Sequence, residues 1–465
     1  MARSNVRYLG RELSLAEAYA LFLGARNAGC LAALGRNPSV EAALLRARCL
    51  LRLRDPARAV DVLSGLQIGQ LPPSVMAEYH VLRATALLRS GDRERSRRHY
   101  EAAGILGRPL GGAALAELNL YLAMAAWSDR DLDAAERLAA QAACVEPVLA
   151  DPYLRRHELV KAQVLETMSL IAAAREDFAL QATLLEAAWE AQASLDPNER
   201  DEWVRASILR NLAPLVWNLH LDDEAEFLAE RSEQIPWSTE TAKARYMVQR
   251  ALAWAAALSG DHVAAFDRFR EAIDIAPSEP YKLASTLDRA YFAAEMGQRV
   301  ILAEEMLRVR RLASSIDWTR VFGDEASVLL TVAEAYARED ARTARSWLAQ
   351  FDRERAMPKS LMLLASHDRR QTAMEDDAEA AVLAAEGKIG RSVSLRRSTV
   401  ETWSALGHGW RAARAAVAIA ELTAKPEDLA DARRRVEAFQ RSWLVRRVRR
   451  IPSARPRLAV RDRQA

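Results

Sequence analysis

The chain has 465 residues, half of them apolar, 28% charged and only 6% aromatic. Rich in Ala and Leu and poor in sheet-forming residues, that balance argues against a β fold and predicts an all-α protein. The formal net charge of +3 conceals an asymmetry: residues 433–465 carry twelve Arg against Glu437 and Asp462, and everything before them is acidic overall. Such a tail calls for an acidic partner or for docking on its own body.

Residues 1–38 read as an N-terminal helical cap. Their longest apolar run, AYALFLGA, follows Glu12 and Glu17 and has no cleavage site behind it. No stretch anywhere reaches the roughly 18 apolar residues of a spanning helix, so the expected location is the cytoplasm, with no membrane contact. Cys30, Cys49 and Cys144 lack the spacing of a metal site and read as small buried residues in a reducing compartment. Only six of the 66 basic residues are Lys, which with so much Ala reads as the codon usage of a GC-rich bacterial genome.

Between residues 39 and 432 a two-helix pattern recurs. A weak copy centres on Ala59. In LRATALLRSGDRERSRRHYEAA, Gly91 marks a turn, and Ser96, Tyr100 and Ala103 follow at helical spacing. AAWSDRDLDAAERLAAQAACVEP sets Ala135, Ala139, Ala142 and Pro147 in the same order, with Arg130 at the turn. Further weak copies centre on Gln181 and Ala225. Between them Pro214 stands inside a predicted helix, where it removes a backbone donor and predicts a bend. The clearest copy is AWAAALSGDHVAAFDRFREAIDIAP at 253–277. Its first helix runs to Leu258 and is broken by Gly260 and Asp261; a second helix puts Ala265, Phe269 and Ala272 on one stripe and ends at Pro277. Weak copies follow at Leu302, Ala344, Ala378 and Ala412.

This pattern resembles the tetratricopeptide repeat, and Gly260, Ala265, Phe269, Ala272 and Pro277 match it throughout. The ten copies are spaced by about 39 residues, longer than the family's period of about 34. The resemblance implies a right-handed superhelical solenoid of about ten tetratricopeptide-like hairpins over residues 39–432. It also implies that the first helix of each hairpin lines a concave groove. By register that groove presents Tyr121, Met124 and Trp127, then Arg210, Asn211 and Trp217, then Arg250 and Trp254, then Asp288 and Tyr291. Arg and aromatic side chains together suit a peptide or an anionic small ligand, and the aromatics equally suit packing between adjacent units; the partner favoured is a protein or peptide. The carboxylate clamp of chaperone-binding relatives would fall on Arg250, Trp254 and Asp288, where Asp288 opposes a carboxylate ligand.

Chemistry for catalysis is missing from the motifs. The His residues show no HExxH, the Ser366–His367–Asp368 neighbours point about 100° apart on a helix, and GKIGRS at 387–392 lacks the rest of a phosphate-binding loop. The expectation is a protein that is no enzyme and takes no metal or cofactor. WSALGHGWRAARAAVAIAELT and RSWLVRRVRR, within residues 403–465, resemble the end of the helical sensor segment of LuxR-type bacterial transcriptional regulators. The chain departs from that family in having no Walker motif and in stopping too soon after RRVRR for a helix-turn-helix. VLAAEGKIGRSVSLRRSTVETWSALG reads as the tenth hairpin. Residues 433–465 read as a basic helix and an extended tail, in which Arg446, Arg447, Arg449, Arg450, Arg455 and Arg457 are candidates for phosphate contacts. The sequence therefore favours a non-catalytic regulatory or sensor scaffold that holds a protein or peptide in its groove. Its alternative is a DNA-associated regulator acting through the Arg-rich tail.

Overall fold

In a computed structural model the described residues are 14–107, 109, 112–129, 131–144, 154–219, 222–318, 328–337, 340–356 and 368–451. Ser366, His367, Arg455 and Arg457 lie outside them. Among the described residues every regular element is helical. In chain order these are α1 (Leu15–Leu23), α2 (Asn27–Leu34), α3 (Val40–Arg52), α4 (Pro56–Ser64), α5 (Pro73–Arg89), α6 (Arg93–Gly107), α7 (Gly112–Ser128), α8 (Leu132–Ala143), α9 (Leu154–Ala174), α10 (Phe178–Ala193), α11 (Glu202–Leu219) and α12 (Asp222–Ser232). They continue with α13 (Ala242–Ser259), α14 (His262–Asp274), α15 (Glu279–Met296), α16 (Arg299–Ser315), α17 (Val328–Tyr336), α18 (Ala341–Ala356), α19 (Asp368–Ala385), α20 (Ile389–Ala405), α21 (Gly409–Thr423), α22 (Pro426–Val436) and α23 (Trp443–Arg450). No helix is long and apolar enough to cross a membrane. The chain is an all-α solenoid of helical hairpins.

One turn builds the hairpins. At Gly260 the backbone takes φ +88°, the Asp261 N–H returns to the Ala256 carbonyl at 2.9 Å, and the Gly260 N–H reaches Ala257 at 3.3 Å. This double closure satisfies carbonyls left open at the end of α13. Asp261 then caps α14 by accepting from the Ala264 N–H at 3.1 Å. Ala265, five residues after the left-handed residue, is fully buried, and Phe269 fills the space one helical turn on. Asp55, Asp92, Asp131 and Asp177 cap their helices in the same way. Where Gly is missing the backbone is still left-handed: Arg54 has φ +60°, Glu176 +62° and Ala25 +52°. The α1–α2 connection inside the segment read as a cap thus uses the repeat's own turn, with Cys30 buried five residues after Ala25.

A non-glycine residue in this conformation costs about 1–2 kcal/mol, against about 0.5–1 kcal/mol of extra unfolded-state entropy for Gly. Arg54 is exposed, so Arg54→Gly is expected to stabilise the protein by roughly 0.5–1 kcal/mol. Thermal unfolding of the variant checks this; a lower midpoint would mean that the Arg54 side chain contributes more than its backbone costs.

The sequence template slides near the C-terminus. Ala378 lies in α19, the first helix of its pair, and the buried second-helix residue is Ser392, five after Gly387 with φ +77°. Ala412 also lies in a first helix, α21, because the α20–α21 connection repeats the left-handed turn at Gly407 with φ +73°. The segment 382–407 is consequently the α19–α20 turn and α20, one hairpin before the last. Ala at steps of three and four recurs on both helices of such pairs, so the template needs a turn residue to fix its register.

The chain divides into two compact units. The first comprises residues 1–212, 230–245 and 360–366, and the second 213–229, 246–359 and 367–465. In each unit first helices pack on the next first helix, as in α3, α5, α7 and α9 or in α15, α17 and α19. Second helices wedge between hairpins, as α8 does against α9. First helices therefore form the inner layer of each unit.

Candidate binding surfaces on the inner helices

In the first unit the inner layer carries charges that pair between hairpins. Arg48 on α3 donates to Glu78 on α5 at 2.9 Å and to Glu117 on α7 at 2.5 Å. Arg52 pairs with the buried Asp201, which caps α11 through the backbone N–H groups of Trp203 and Val204. The turn before α2 offers no capping side chain, and Glu240 supplies one from far along the chain. Its carboxylate accepts from the Asn27 N–H at 2.7 Å and the Ala28 N–H at 2.8 Å.

Tyr121 and Trp127 on α7 are both half-buried but face different hairpins. Tyr121 packs against Val81, Ala103 and Leu118, and Trp127 against Ala123, Ala135, Ala139 and Ile171. Much of each ring is committed to packing between repeats. Arg210 and Asn211 on α11 are half-buried and meet Glu166 on α9. Asn211 donates to the Glu166 carboxylate at 2.9 Å, Ser207 donates to the same oxygen, and Arg210 donates to Ser207 Oγ at 2.9 Å. Burial pushes the Glu166 carboxyl up from its ordinary range, partly offset by Arg210 and Ser207. Arg210 donates to neutral oxygens and makes no carboxylate ion pair among the described residues. Trp217 lies further along α11, and its side chain is outside the described residues.

In the second unit the predicted groove residues are largely consumed by the protein itself. Arg250 and Asp288 form a two-pronged ion pair, with Arg250 Nε 2.5 Å and its terminal nitrogen 3.2 Å from the carboxylate. Burial opposes the Arg250 charge, yet Asp288 together with Tyr246 more than offsets it and holds the guanidinium above its usual range. Asp288 therefore balances a cation of its own chain, a role hidden from sequence because the two residues are a full repeat apart.

Trp254, predicted as a flat contact for a ligand, is only 4% exposed. Its ring centroid lies 5.5 Å from Phe269, 5.2 Å from Trp410, 6.1 Å from Tyr291 and 6.1 Å from Trp443. Trp443 belongs to α23, whose Leu444 and Val448 are also buried. The basic C-terminal helix thus packs on the inner aromatic residues of its own unit. Gly260 admits it closely: a Cβ there would stand 2.9 Å from the Arg441 carbonyl oxygen. On the outer side of α23, Arg447 joins Glu295 at 3.1 Å and Glu421 at 2.6 Å. Arg446 meets His262 at 3.0 Å, while Arg449 and Arg450 are exposed. Arg446, Arg447 and Arg450 line a recess of about 390 Å³ together with Glu295, Glu421, Trp443 and Ile451. Of the arginines read as phosphate contacts, Arg447 is committed to carboxylates of its own body.

Beyond these residues the structure assembles a set that sequence reasoning missed. Arg414 on α21 pairs with Glu334 on α17 at 3.0 Å and lies 3.4 Å from Asp377 on α19. Asp377 also accepts from Thr399 at 3.0 Å and from the Trp403 indole at 2.9 Å. Arg411 lies over Trp403 at 4.9 Å and Trp410 at 5.7 Å. A usable signal existed: Arg250, Asp288, Glu334, Asp377 and Arg414 recur about every 40 residues, one repeat apart on successive first helices. No group of three or more metal-ligating side chains is present among the described residues.

No family model matches the chain, and no curated protein matches it. Among solved structures it is similar to a Rap protein complexed with competence and sporulation factor, at 12% identity and a TM-score of 0.40, covering 84% of this chain and 99% of that one. It is also similar to the APC/C hetero-tetramer Cut9–Hcn1, at 13% identity and a TM-score of 0.30, over 93% of this chain and 88% of that one. A third likeness is to the P58(IPK) TPR domain, at 13% identity and a TM-score of 0.19, over 86% and 99%. At such TM-scores these likenesses add no weight, and the assignment of the fold stands on the repeated turn and its packing.

Proposed function

We propose that this chain is a non-catalytic scaffold that binds a protein or peptide segment on the inner face of its first unit, as a regulatory or sensor module. The observation that carries the reading is the half-buried set Arg210, Asn211 and Glu166, in which a guanidinium that makes no carboxylate ion pair among the described residues stands beside a side-chain amide. An amide can exchange hydrogen bonds with a peptide main chain, and a planar guanidinium is suited to a carboxylate on the bound segment. In the second unit the corresponding inner residues are engaged by α23 or by each other, which leaves the first unit as the surface for a partner.

Against the nucleic-acid alternative stands Arg447, which is paired with Glu295 and Glu421 of its own body. The experiment is a peptide library presented to the full chain, with selected peptides measured by fluorescence anisotropy against Arg210→Met and Asn211→Ala. Sequence-dependent binding that weakens at least tenfold in either variant supports the reading. A library without sequence preference, or variants that bind as the parent does, overturns it.

A further inference from the structure

We propose that the hydrogen bond between His80 on α5 and His99 on α6 is a proton-sensitive latch, which holds the α5–α6 hairpin closed while at least one ring is neutral and releases it when both are protonated. It involves none of Arg210, Asn211 and Glu166, and so does not rest on the peptide reading.

The geometry sets the chemistry. His80 Nδ1 and His99 Nδ1 stand 2.8 Å apart, with ring centroids 5.0 Å apart. In the neutral pair one Nδ1 carries a proton and donates, and the other accepts through its lone pair. A first added proton enters at the free Nε2 of the donating ring, and the bond survives with a charge behind it. A second proton has only the accepting Nδ1 to go to. There it removes the lone pair that the bond needs and sets two imidazolium N–H groups against each other. The pair therefore titrates in two steps, and the second step opens it.

Nothing nearby relieves the second charge. Tyr79 is buried and packs edge-on against both rings, with centroids 5.1 Å from His80 and 6.3 Å from His99. Arg83, one turn along α5, donates to the Tyr79 hydroxyl and places a fixed positive charge on the same face. The helices α3, α4 and α7 also pack on this hairpin. Among the described residues, however, Arg83 and the partner imidazole are the charged groups that act on the rings, and no carboxylate does. Burial and Arg83 pull His80 below its ordinary range, and burial with His80 and Arg83 pulls His99 down to about 4. Both rings are half-buried, so solvent protons reach them. A metal ion in place of the shared proton would meet the Arg83 charge as well, which disfavours it.

Both imidazoles titrate below the ordinary value of about 6.5 in the closed hairpin. Closure is therefore fully favoured above that pH and loses ground as pH falls from it toward about 4. Amide hydrogen exchange of the full chain at pH 7 and pH 5, corrected for the intrinsic rate, tests the latch. Peptides from residues 73–107 should lose at least about tenfold in protection at pH 5, while those from α10, which contains no His, should keep theirs. His99→Gln can still hydrogen-bond His80 but cannot take the second proton, so its hairpin should keep most of its protection at pH 5. His80→Gln is the second variant should the first fail to fold, and by NMR its His99 imidazole should titrate at higher pH than in the parent. The proposal is overturned if the parent hairpin keeps its protection at pH 5, if both glutamine variants lose as much as the parent, or if α10 loses as much as the hairpin. It is overturned too if a chelator alone shifts both imidazole signals, because a metal ion then holds the pair.

Discussion

Replacing Trp443 by Ala should destabilise the second unit by about 3–5 kcal/mol, the range for truncating a buried aromatic. The ring is 1% exposed and is ringed by aromatic neighbours, with centroids 5.6 Å from Phe292, 6.1 Å from Trp254, 6.2 Å from Tyr291 and 6.4 Å from Trp410. These belong to α13, α15 and α21, so one side chain of α23 ties three inner helices together. An aromatic side chain buries roughly 150–250 Å², which at about 25 cal/mol per Å² is roughly 4–6 kcal/mol before the unfolded chain's own burial is discounted. A ring cavity at the centre of four aromatics cannot collapse without moving helices, so relaxation should recover little. Urea unfolding followed by circular dichroism gives the loss, and limited proteolysis should show residues 441–451 becoming accessible in the variant. A loss under about 1 kcal/mol would mean that α23 rests on the unit without sealing it, and the aromatic face would then regain its claim as a partner surface.

How far the sequence was legible depended on whether the information was local. The hairpins were legible because their turn is written within six residues: Gly260, the capping Asp261 and the small Ala265 each answer a backbone requirement of the α13–α14 connection. Where Gly was absent, at Arg54 and Glu176, the register through Ala59 and Gln181 still marked the position, although the strain was invisible. Near Ala378 the same reasoning slipped by one helix, since an Ala-rich pair offers its spacing twice. The site was legible only as a register. Arg250, Trp254, Asp288 and Tyr291 do lie on successive inner helices, but what each touches depends on residues a repeat or more away. Asp288 is answered by Arg250, and Trp254 by Trp410 and Trp443. The acidic body and basic tail left open an acidic partner or docking of the tail on its own body, and Arg447 between Glu295 and Glu421 is a contact of the second kind. Nothing local distinguishes Arg396 from the exposed arginines around it; only its burial on α20 does.

The second large effect is expected at Asp377. Asp377→Asn keeps the shape and part of the hydrogen bonding to Thr399 and Trp403, but it removes a buried carboxylate that interacts with Arg396, Arg411 and Arg414. At 2% exposure, water cannot replace the lost charge. Removing one partner of a buried ionic set costs about 3–5 kcal/mol, most of it from the cations left behind rather than from the bonds lost. That origin has a consequence that a packing defect lacks. If uncompensated guanidinium charge is the cause, taking away a second cation should restore stability, so Arg396→Met combined with Asp377→Asn should be less destabilised than Asp377→Asn alone. A double-mutant cycle by urea unfolding should then return a coupling of at least about 1 kcal/mol between the two positions. Strict additivity would show that Arg396 and Asp377 do not sense each other, and Arg414 with Glu334 would have to account for the whole loss. A positive coupling places Arg396 in the same electrostatic set as Asp377 and Glu334.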